Sequence, residues 1–395
     1  MLYSHFNQNL LGLEDVLIKN IKQNNNLIEI NIELNKKEHI CPSCKQITAN
    51  IHDYRIQTVK DIPAFGKSIV LKLRKRRYRC RCGKRFNESN RFLPSYYRRT
   101  GRLSQYIIKR LGNVCSFKSV AKELNLSPST ITRTFDLVSY TKRKLPSVLS
   151  IDEFKGNTWG EKYQCILTDP VNKIIIDILP QRYKDSLIPY FRNMPREQVT
   201  HFVSDMWTPY YDIAKTEFKK ATFIVDKFHF IRQVIWAFDA VRKEEQRKFH
   251  PTRRKYFKHS RRLLMRKFKF LKDEEKQAVN IMLYASPNIL TAHTLKEDFF
   301  KLMNSKNKKS AKKRLKSWVI NAQNSGLKKF IACAKTMINW TEGITNSFSF
   351  PYTNGFTEGI NNKIKVLKRN AYGYKNFARF RNRILHIFNN TQDPT

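Results

Sequence analysis

The chain has 395 residues, 41% of them hydrophobic and 12% aromatic, which is enough material for two or three domains with packed cores, so disorder is not the default. Its 76 lysines and arginines against 32 aspartates and glutamates leave a formal charge of +44, and a polyanion is the partner such a surface calls for, because neutralising phosphates releases condensed counterions. Charge sets a class and no mechanism, since ribosomal, chromatin and membrane-surface proteins share it.

The stretch Met1 to Leu17 carries Glu14 and Asp15 and lacks the basic flank and long apolar run of a signal peptide. No segment approaches 18 apolar residues, so neither a leader nor a membrane span is expected. Seven cysteines is an odd count, and four of them sit in two close pairs, which points to a reducing, cytoplasmic setting and away from a disulfide framework.

In chain order, Ile28, Ile30, Ile32 and Leu34 alternate with polar residues, as do Ile69, Leu71 and Leu73 ahead of the basic run Arg74 to Arg79. A strand is predicted ahead of each cysteine pair. The pairs themselves, Cys41-Pro42-Ser43-Cys44 and Cys80-Arg81-Cys82-Gly83, present four thiolates at a spacing that suits tetrahedral zinc. A module this small buries too little apolar surface to fold alone, and chelation supplies the missing stability. Residues 1–95 therefore read as an N-terminal zinc-ribbon domain, the alternative being four reduced cysteines that merely pack. The second pair, with one intervening residue, is tighter than the usual spacing. Cys115, Cys165 and Cys333 stand alone and read as ordinary interior residues.

Residues 100–145 read as a helix-turn-helix DNA-binding domain. Leu103 to Leu111 predicts an amphipathic helix, and Phe117 to Leu124 and Pro128 to Val138 predict two more, joined by Asn125-Leu126-Ser127. Ser127 suits the N-cap and Pro128 the first helical position. Ser129, Thr130, Thr132 and Arg133 are then the candidates to face a major groove. Val120, Ala121, Leu124, Leu126, Ile131 and Phe135 form the small core, which a helical hairpin without DNA would also need.

Beyond Pro146 the pattern changes. Strands are predicted at Val148 to Phe154, Tyr163 to Thr168 and Lys173 to Leu179, followed by a helix at Asp185 to Arg192, a strand at Val199 to Ser204, a helix at Pro209 to Phe218 and a strand at Thr222 to Val225. The order β-β-β-α-β-α-β is that of a ribonuclease H-like α/β fold. There the first and fourth strands can lie side by side, bringing Asp152 close to Asp205. Glu358, in the first turn of a helix running to about Arg369, is the candidate third carboxylate. On that helix Glu358, Asn362, Lys365 and Arg369 share one face and Ile360, Ile364 and Leu367 another, so one side can meet DNA while the other packs. Three carboxylates around one point suit two hard divalent cations, Mg²⁺ or Mn²⁺, and in-line phosphoryl displacement. Singly, Asp152 ends a strand, Asp205 caps a helix and Glu358 is a first-turn acid, with no function needed. Glu153 points to the opposite strand face, and Asp169 and Asp177 are less well placed.

The motifs Ile151-Asp152-Glu153-Phe154, Val203-Ser204-Asp205-Met206-Trp207-Thr208-Pro209-Tyr210 and Asn354-Gly355-Phe356-Thr357-Glu358-Gly359-Ile360-Asn361-Asn362-Lys363-Ile364-Lys365 resemble the signatures of bacterial transposases of the ISL3 family. Gly373 to Ile384 resembles that family's C-terminal end, and Asp226-Lys227-Phe228-His229 a recurring stretch whose role stays open, a structural histidine included. The resemblance implies a zinc ribbon, a helix-turn-helix and a DDE catalytic domain of ribonuclease H-like fold broken by a helical insertion. It implies Asp152, Asp205 and Glu358 as the magnesium-binding catalytic triad and Cys41, Cys44, Cys80 and Cys82 as zinc ligands. The expected catalytic domain is 146–229 with 345–395, and the insertion is 230–344. Phe230 to Leu302 is predicted helical, and Asn304 to Lys309 a lysine-rich loop. Arg253-Arg254-Lys255, Arg261-Arg262 and Lys306 to Lys316 either clamp DNA or are solvated faces.

The expected activity is cleavage at terminal inverted repeats followed by strand transfer into double-stranded target DNA, by a homodimer assembled on DNA. A non-catalytic DNA-binding regulator and a nuclease of the same fold are the rival readings.

Overall fold

The computed structural model describes residues 11–13 and 15–389. Most of the Met1 to Leu17 stretch, Glu14 included, and the end of the 345–395 segment lie outside them. Contacts divide the chain into two units, Met1–Tyr140 with Val366–Tyr372 and Asn382–Thr395, and Thr141–Lys365 with Gly373–Arg381.

The first unit opens with strands β1 (Val16–Gln23) and β2 (Leu27–Leu34), the short pair β3 (His39–Ile40) and β4 (Ile47–Thr48), and the long hairpin β5 (Ile51–Ala64) and β6 (Lys67–Arg79), with β7 (Arg85–Asn87) on its end. The main sheet runs β1-β2-β6-β5, with β2 and β6 parallel and the remaining pairs antiparallel. The predicted alternation holds: Ile28, Ile30, Ile32 and Leu34 meet Leu71, Leu73 and Val59 in one core. The hairpin turns through Phe65 and Gly66, both left-handed at φ 54° and 71°, as a two-residue primed turn requires.

Helices α1 (Gly101–Arg110), α2 (Phe117–Glu123) and α3 (Pro128–Phe135) follow. Leu103, Ile107, Val120, Ala121, Leu124, Ile131 and Phe135 close their core. The Ser127 hydroxyl accepts from the Thr130 N–H at 3.2 Å with Pro128 in the first turn, the predicted start. Helix α3 ends at Phe135, short of the expected Val138, because the chain tightens there: the Val138 N–H donates to the Phe135 carbonyl at 2.9 Å.

The second unit is built on a sheet of five strands, β8 (Val148–Phe154), β9 (Gln164–Asp169), β10 (Ile174–Leu179), β11 (His201–Ser204) and β12 (Thr222–Val225), in the order β10-β9-β8-β11-β12. The first three pair antiparallel, whereas β8, β11 and β12 are parallel. Helices α4 (Lys184–Arg192) and α5 (Thr208–Glu217) fill the connections. The near-continuous burial of β8, β9 and β10 is that of a sheet covered on both faces.

From β12 the chain enters a helical region that starts with α6 (Lys227–Lys248) and continues through α7 (Pro251–His259), α8 (Arg261–Met265), α9 (Asp273–Tyr284), α10 (Pro287–Leu302), α11 (Lys308–Gln323) and α12 (Lys328–Asn339). Its rings interlock, Phe230 on Phe299, Phe299 on Trp318 and Trp318 on Phe330, with centroids 4.9–6.4 Å apart. The lysine-rich stretch is helical from Lys308, not a loop to Lys309, because the Asn307 side chain accepts from the Ser310 N–H at 2.9 Å and caps it. Helix α13 (Thr341–Asn346) returns to the sheet, and Gly343 permits the approach: a Cβ there would stand 2.7 Å from Val225 Cγ2. Helices α14 (Gly355–Asn370) and α15 (Phe377–Asn389) complete the chain.

Candidate active site and metal centres

Each cysteine pair lies in a tight turn that aims its sulfurs inward. The Cys41 carbonyl accepts from Lys45 N–H at 3.0 Å and the Cys80 carbonyl from Gly83 N–H at 3.0 Å, with Lys45 and Gly83 both left-handed. Cys41 Sγ stands 3.7 Å from Cys82 Sγ and Cys44 Sγ 3.4 Å from Cys80 Sγ. A tetrahedron with Zn–S bonds of about 2.3 Å has edges of about 3.8 Å, so the four sulfurs fit zinc. Burial works against ionising Cys41, yet the Cys44 and Ser43 N–H groups draw its thiol down to about 6. The Gln46 N–H favours the Cys44 thiolate, but the neighbouring thiols of Cys80, Cys82 and Cys41 push that group up to about 12. Four sulfurs this close hold negative charge together only around a cation.

The acids of the second unit are placed by strand register. Val203 sits opposite Ser150 and Ser204 opposite Val225 on the parallel strands β8, β11 and β12. Continuing that register sets Asp152, inside β8, level with Asp205 and Asp226, just past β11 and β12. Asp205 and Asp226 directly follow their strands, where backbone donors and a helix start come together; the Asp226 carboxylate accepts from Phe228 N–H at 3.3 Å and caps α6.

Glu358 arrives from the first turn of α14. A buried polar network docks this helix on the sheet. Ser150 Oγ donates to Asn354 Oδ1 at 2.5 Å, Thr357 Oγ1 lies 3.1 Å from Ser150 Oγ and 2.7 Å from Thr168 Oγ1, and the Asn354 N–H donates to Asp226 at 3.1 Å. Asn361, one turn on, donates from Nδ2 to Asp152 Oδ2 at 3.0 Å. The burial pattern matches the two predicted faces: Ile360, Ile364 and Leu367 are buried, Asn362, Lys365 and Arg369 exposed.

Among the described residues, metal-ligating groups with all donor atoms within 4.8 Å of one another are the four cysteines and the set Asp226, His229 and Glu358. Asp152 and Asp205 stand outside that set, although the charges of Asp205 and Glu358 act on Asp152. Burial holds the Asp152 carboxyl well above the usual range against a donating Glu153 N–H, with Glu153, Asp205 and Glu358 adding repulsion. Asp205 is pushed to about 7 by burial and the Glu153 charge, against Arg232 and Arg182. Glu358 is raised by burial and by Asp226. His229 is lowered by burial and by Arg232. Asp205 Oδ1 is buried and, among the described residues, has no hydrogen-bond partner. Hard oxygen donors that resist ionisation and leave an atom unpartnered suit a divalent cation.

The other acids are occupied. Glu153 pairs with Arg182 at 3.0 Å, Asp177 with Arg381 at 2.6 Å, and Asp169 accepts from the N–H groups of Val171 and Asn172 in a turn. On α3, Ser129 and Arg133 are exposed and Thr130 and Thr132 half-buried, on the side away from the core. Asn354, Thr357 and Asn361 lie within the third motif, but sequence alone assigns them no role of their own.

Residues 149–384 match the ISL3 family profile described as transposase. The chain belongs to the ISL3 family of transposases. Residues 37–82 match the zinc-finger of transposase IS204/IS1001/IS1096/IS1165, spanning all four clustered cysteines, and residues 88–138 match the helix-turn-helix domain of transposase family ISL3. The chain is 27% identical over 364 residues to the transposase for insertion sequence element IS1001 of Bordetella parapertussis, covering 88% of each protein. It is also 30% identical over 111 residues to a protein of Lactococcus lactis named ATP-dependent protease, a match covering 28% of this chain and 34% of that protein. This family member is thus a mixed α/β transposase with zinc-finger and helix-turn-helix domains, and its four clustered cysteines fit Zn²⁺. No helix among the described residues is long and apolar enough to cross a membrane.

Proposed function

We propose that this transposase binds the terminal inverted repeats of its insertion sequence, cleaves a phosphodiester there and transfers the freed strand into target DNA. The observation that carries the reading is the parallel register of β8 and β11, which puts Asp152 level with Asp205 and its unpartnered Oδ1, together with the ties from Asn354, Thr357 and Asn361 that dock the helix bearing Glu358 on the same sheet. The strand order, with β8 between β9 and β11, supports a ribonuclease H-like catalytic domain at 146–229 and 345–395, interrupted by the 230–344 insertion.

Asp152, Asp205 and Glu358 would hold Mg²⁺ or Mn²⁺, with Asp226 and His229 beside Glu358. Bound there, two such ions supply activation of the attacking oxygen and stabilisation of the leaving one. The chain's own part is positional: Asn361 fixes the Asp152 carboxylate, and the Ser150-Asn354-Thr357 network fixes the helix that presents Glu358. In the first step a water oxygen forms a bond to phosphorus as the P–O3′ bond breaks and the 3′ oxygen takes a proton. In the second the 3′-hydroxyl attacks a target phosphorus and a target 3′-hydroxyl leaves. Residues 1–95 and 100–145 hold the ends, with Ser129, Thr130, Thr132 and Arg133 toward the groove, while Asn362, Lys365 and Arg369 line the exposed face of α14. A homodimer on DNA lets two ends be cut together, in the bacterial cytoplasm where the nucleoid is the target.

The test is cleavage and joining of DNA carrying the terminal repeats in Mg²⁺, comparing the wild type with Asp152→Ala, Asp205→Ala and Glu358→Ala. The reading expects cutting and joining by the wild type, and DNA binding without either step by each variant. A wild type that binds and never cuts makes the chain a regulator; one that cuts without joining makes it a nuclease.

A further inference from the structure

Two arginines, Arg182 and Arg232, lie close enough to Asp205 for their charges to act on it. Arg182 follows β10 and stacks between Tyr163 and Trp207, its guanidinium carbon 4.6 and 4.7 Å from the ring centroids. It gives one N–H to Glu153 at 3.0 Å. Arg232 lies on α6 over Phe228 and Trp236, at 5.2 and 4.7 Å. Phe228, Arg232 and Trp236 recur every fourth residue and so form one stripe of the helix. The two rings are 51% and 53% exposed, an arrangement with no gain for a core.

Both guanidiniums are under-used. Each Nε is buried without a hydrogen-bond partner among the described residues. Arg232 has the His229 ring, 3.1 Å from Nη2, as its hydrogen-bond partner and no carboxylate at ion-pair distance among the described residues. The charges of both act on Asp205, and that of Arg232 also on Glu358. Aromatic stacking holds a planar cation in place without using its N–H groups, which leaves the fork free for a planar-matching anion. A backbone phosphodiester offers two non-bridging oxygens in that geometry.

We propose that Arg182 and Arg232 form a stacked guanidinium pair that takes the non-bridging oxygens of the scissile DNA phosphodiester beside Asp205. The proposal rests on the phosphoryl-transfer reading above and adds to it the residues that seat the phosphate. Arg182 shares its charge with Glu153, so Arg232 carries the larger part.

The experiment uses the full-length protein and a duplex carrying one element end, with either the natural phosphate or a neutral methylphosphonate, in each diastereomer, at the scissile position. Affinities are read in Ca²⁺ and cleavage rates in Mg²⁺, for wild type, Arg182→Ala, Arg232→Ala and both lysine variants. Arg232→Ala is expected to weaken binding of the phosphate duplex by roughly tenfold and to slow cleavage by roughly a hundredfold, the scale of a lost oxyanion donor. On one methylphosphonate diastereomer, wild type and Arg232→Ala are expected to bind alike. An equal penalty on both duplexes, or none on either, overturns the proposal. Melting curves identify any alanine variant that fails to fold, and the same comparison then decides through the lysine variants, which keep the charge and lose the fork. A wild type that neither binds nor cuts the end removes the parent reading instead; a wild type that cuts while the variants show no phosphate dependence removes this one alone.

Discussion

The side chain of Asn361 donates to Asp152 Oδ2 at 3.0 Å, tying the helix that presents Glu358 to the strand that presents Asp152. Asn361 is 7% exposed and its own Oδ1 has no hydrogen-bond partner among the described residues, so the amide is held for what its Nδ2 does. A carboxylate proposed to hold a cation needs its rotamer fixed; here Asn361 holds Oδ2 and the Glu153 N–H holds Oδ1 at 2.8 Å, and each oxygen keeps a lone pair for a metal.

Asn361→Ala is therefore expected to lower cleavage by roughly 10- to 100-fold, the usual cost of removing an outer partner of a metal ligand. DNA affinity is expected to stay within a few-fold of wild type, since the residue is buried. Higher Mg²⁺ should recover part of the loss. Unchanged cleavage rates would show that Asp152 needs no such partner.

If the acids hold a cation as proposed, its binding depends on pH. Asp205 titrates at about 7 and Asp152 is raised in the same direction, whereas both would sit near 3.9 in an unfolded chain. Between about pH 4 and 7 the folded protein thus holds more protons than the unfolded one, and the stability of the metal-free protein falls as pH rises through that window. A divalent cation binds the ionised form and competes with those protons. Its apparent affinity is expected to drop about tenfold per pH unit below 7 for each proton displaced. Thermal melts with and without Mn²⁺ check this: the metal-induced rise should be larger at pH 8 than at pH 6, and Asp205→Asn should shrink both the rise and its difference between the two pH values. Equal rises at both pH values would contradict it.

The four-cysteine cluster predicts one zinc per chain by elemental analysis. Cys41→Ser and Cys80→Ser, which replace the two buried sulfurs, should lose it. Zinc in such sites contributes on the order of 10 kcal/mol to local folding, so hydrogen exchange in the turns around Cys41 and Cys80 should rise sharply on chelation. The five-stranded sheet of the second unit should exchange as before. Retention of zinc by both variants would place the metal elsewhere.

Sequence alone singled out the acids of the proposed site by their place in the pattern: Asp152 inside Val148 to Phe154, Asp205 after Val203-Ser204, Glu358 at a helix start. It reached the cysteines through spacing. It read the interval between the cysteine pairs as strands and turns without bounding β5, whose alternation is broken by Asp53, Arg55 and Pro63 and whose turn is Phe65-Gly66 with no asparagine or aspartate to announce it. Nor did it separate Asn361 from Asn362: the two are neighbours, and only the helix phase, buried against exposed, tells a positioning amide from a surface one. Arg182 and Arg232 were hidden among 76 basic residues. The fourfold spacing of Phe228, Arg232 and Trp236 was the available signal, whereas the rings around Arg182 come from separate parts of the chain.

Arg383 offers the sharpest test of how the first unit is held. Its side chain is fully buried and donates to the carbonyls of Leu111, Asn113 and Cys115, which line the connection between α1 and α2. The rings of Phe117 and Phe135 stand 5.4 Å from its guanidinium carbon. The charge is thus solvated by backbone dipoles and aromatic faces, and the three carbonyls in turn are paired by the guanidinium. Arg383→Met keeps much of the volume but leaves those acceptors unpaired, at about 1–3 kcal/mol for each buried group that stays unsatisfied. A loss of about 3 kcal/mol is expected in denaturant unfolding of the first unit, together with weaker binding to the terminal repeats, because α2 and α3 lose the support of that connection. Arg383→Lys, with fewer and differently aimed donors, should fall between. Wild-type stability in Arg383→Met would mean that these carbonyls find other donors when the guanidinium is gone.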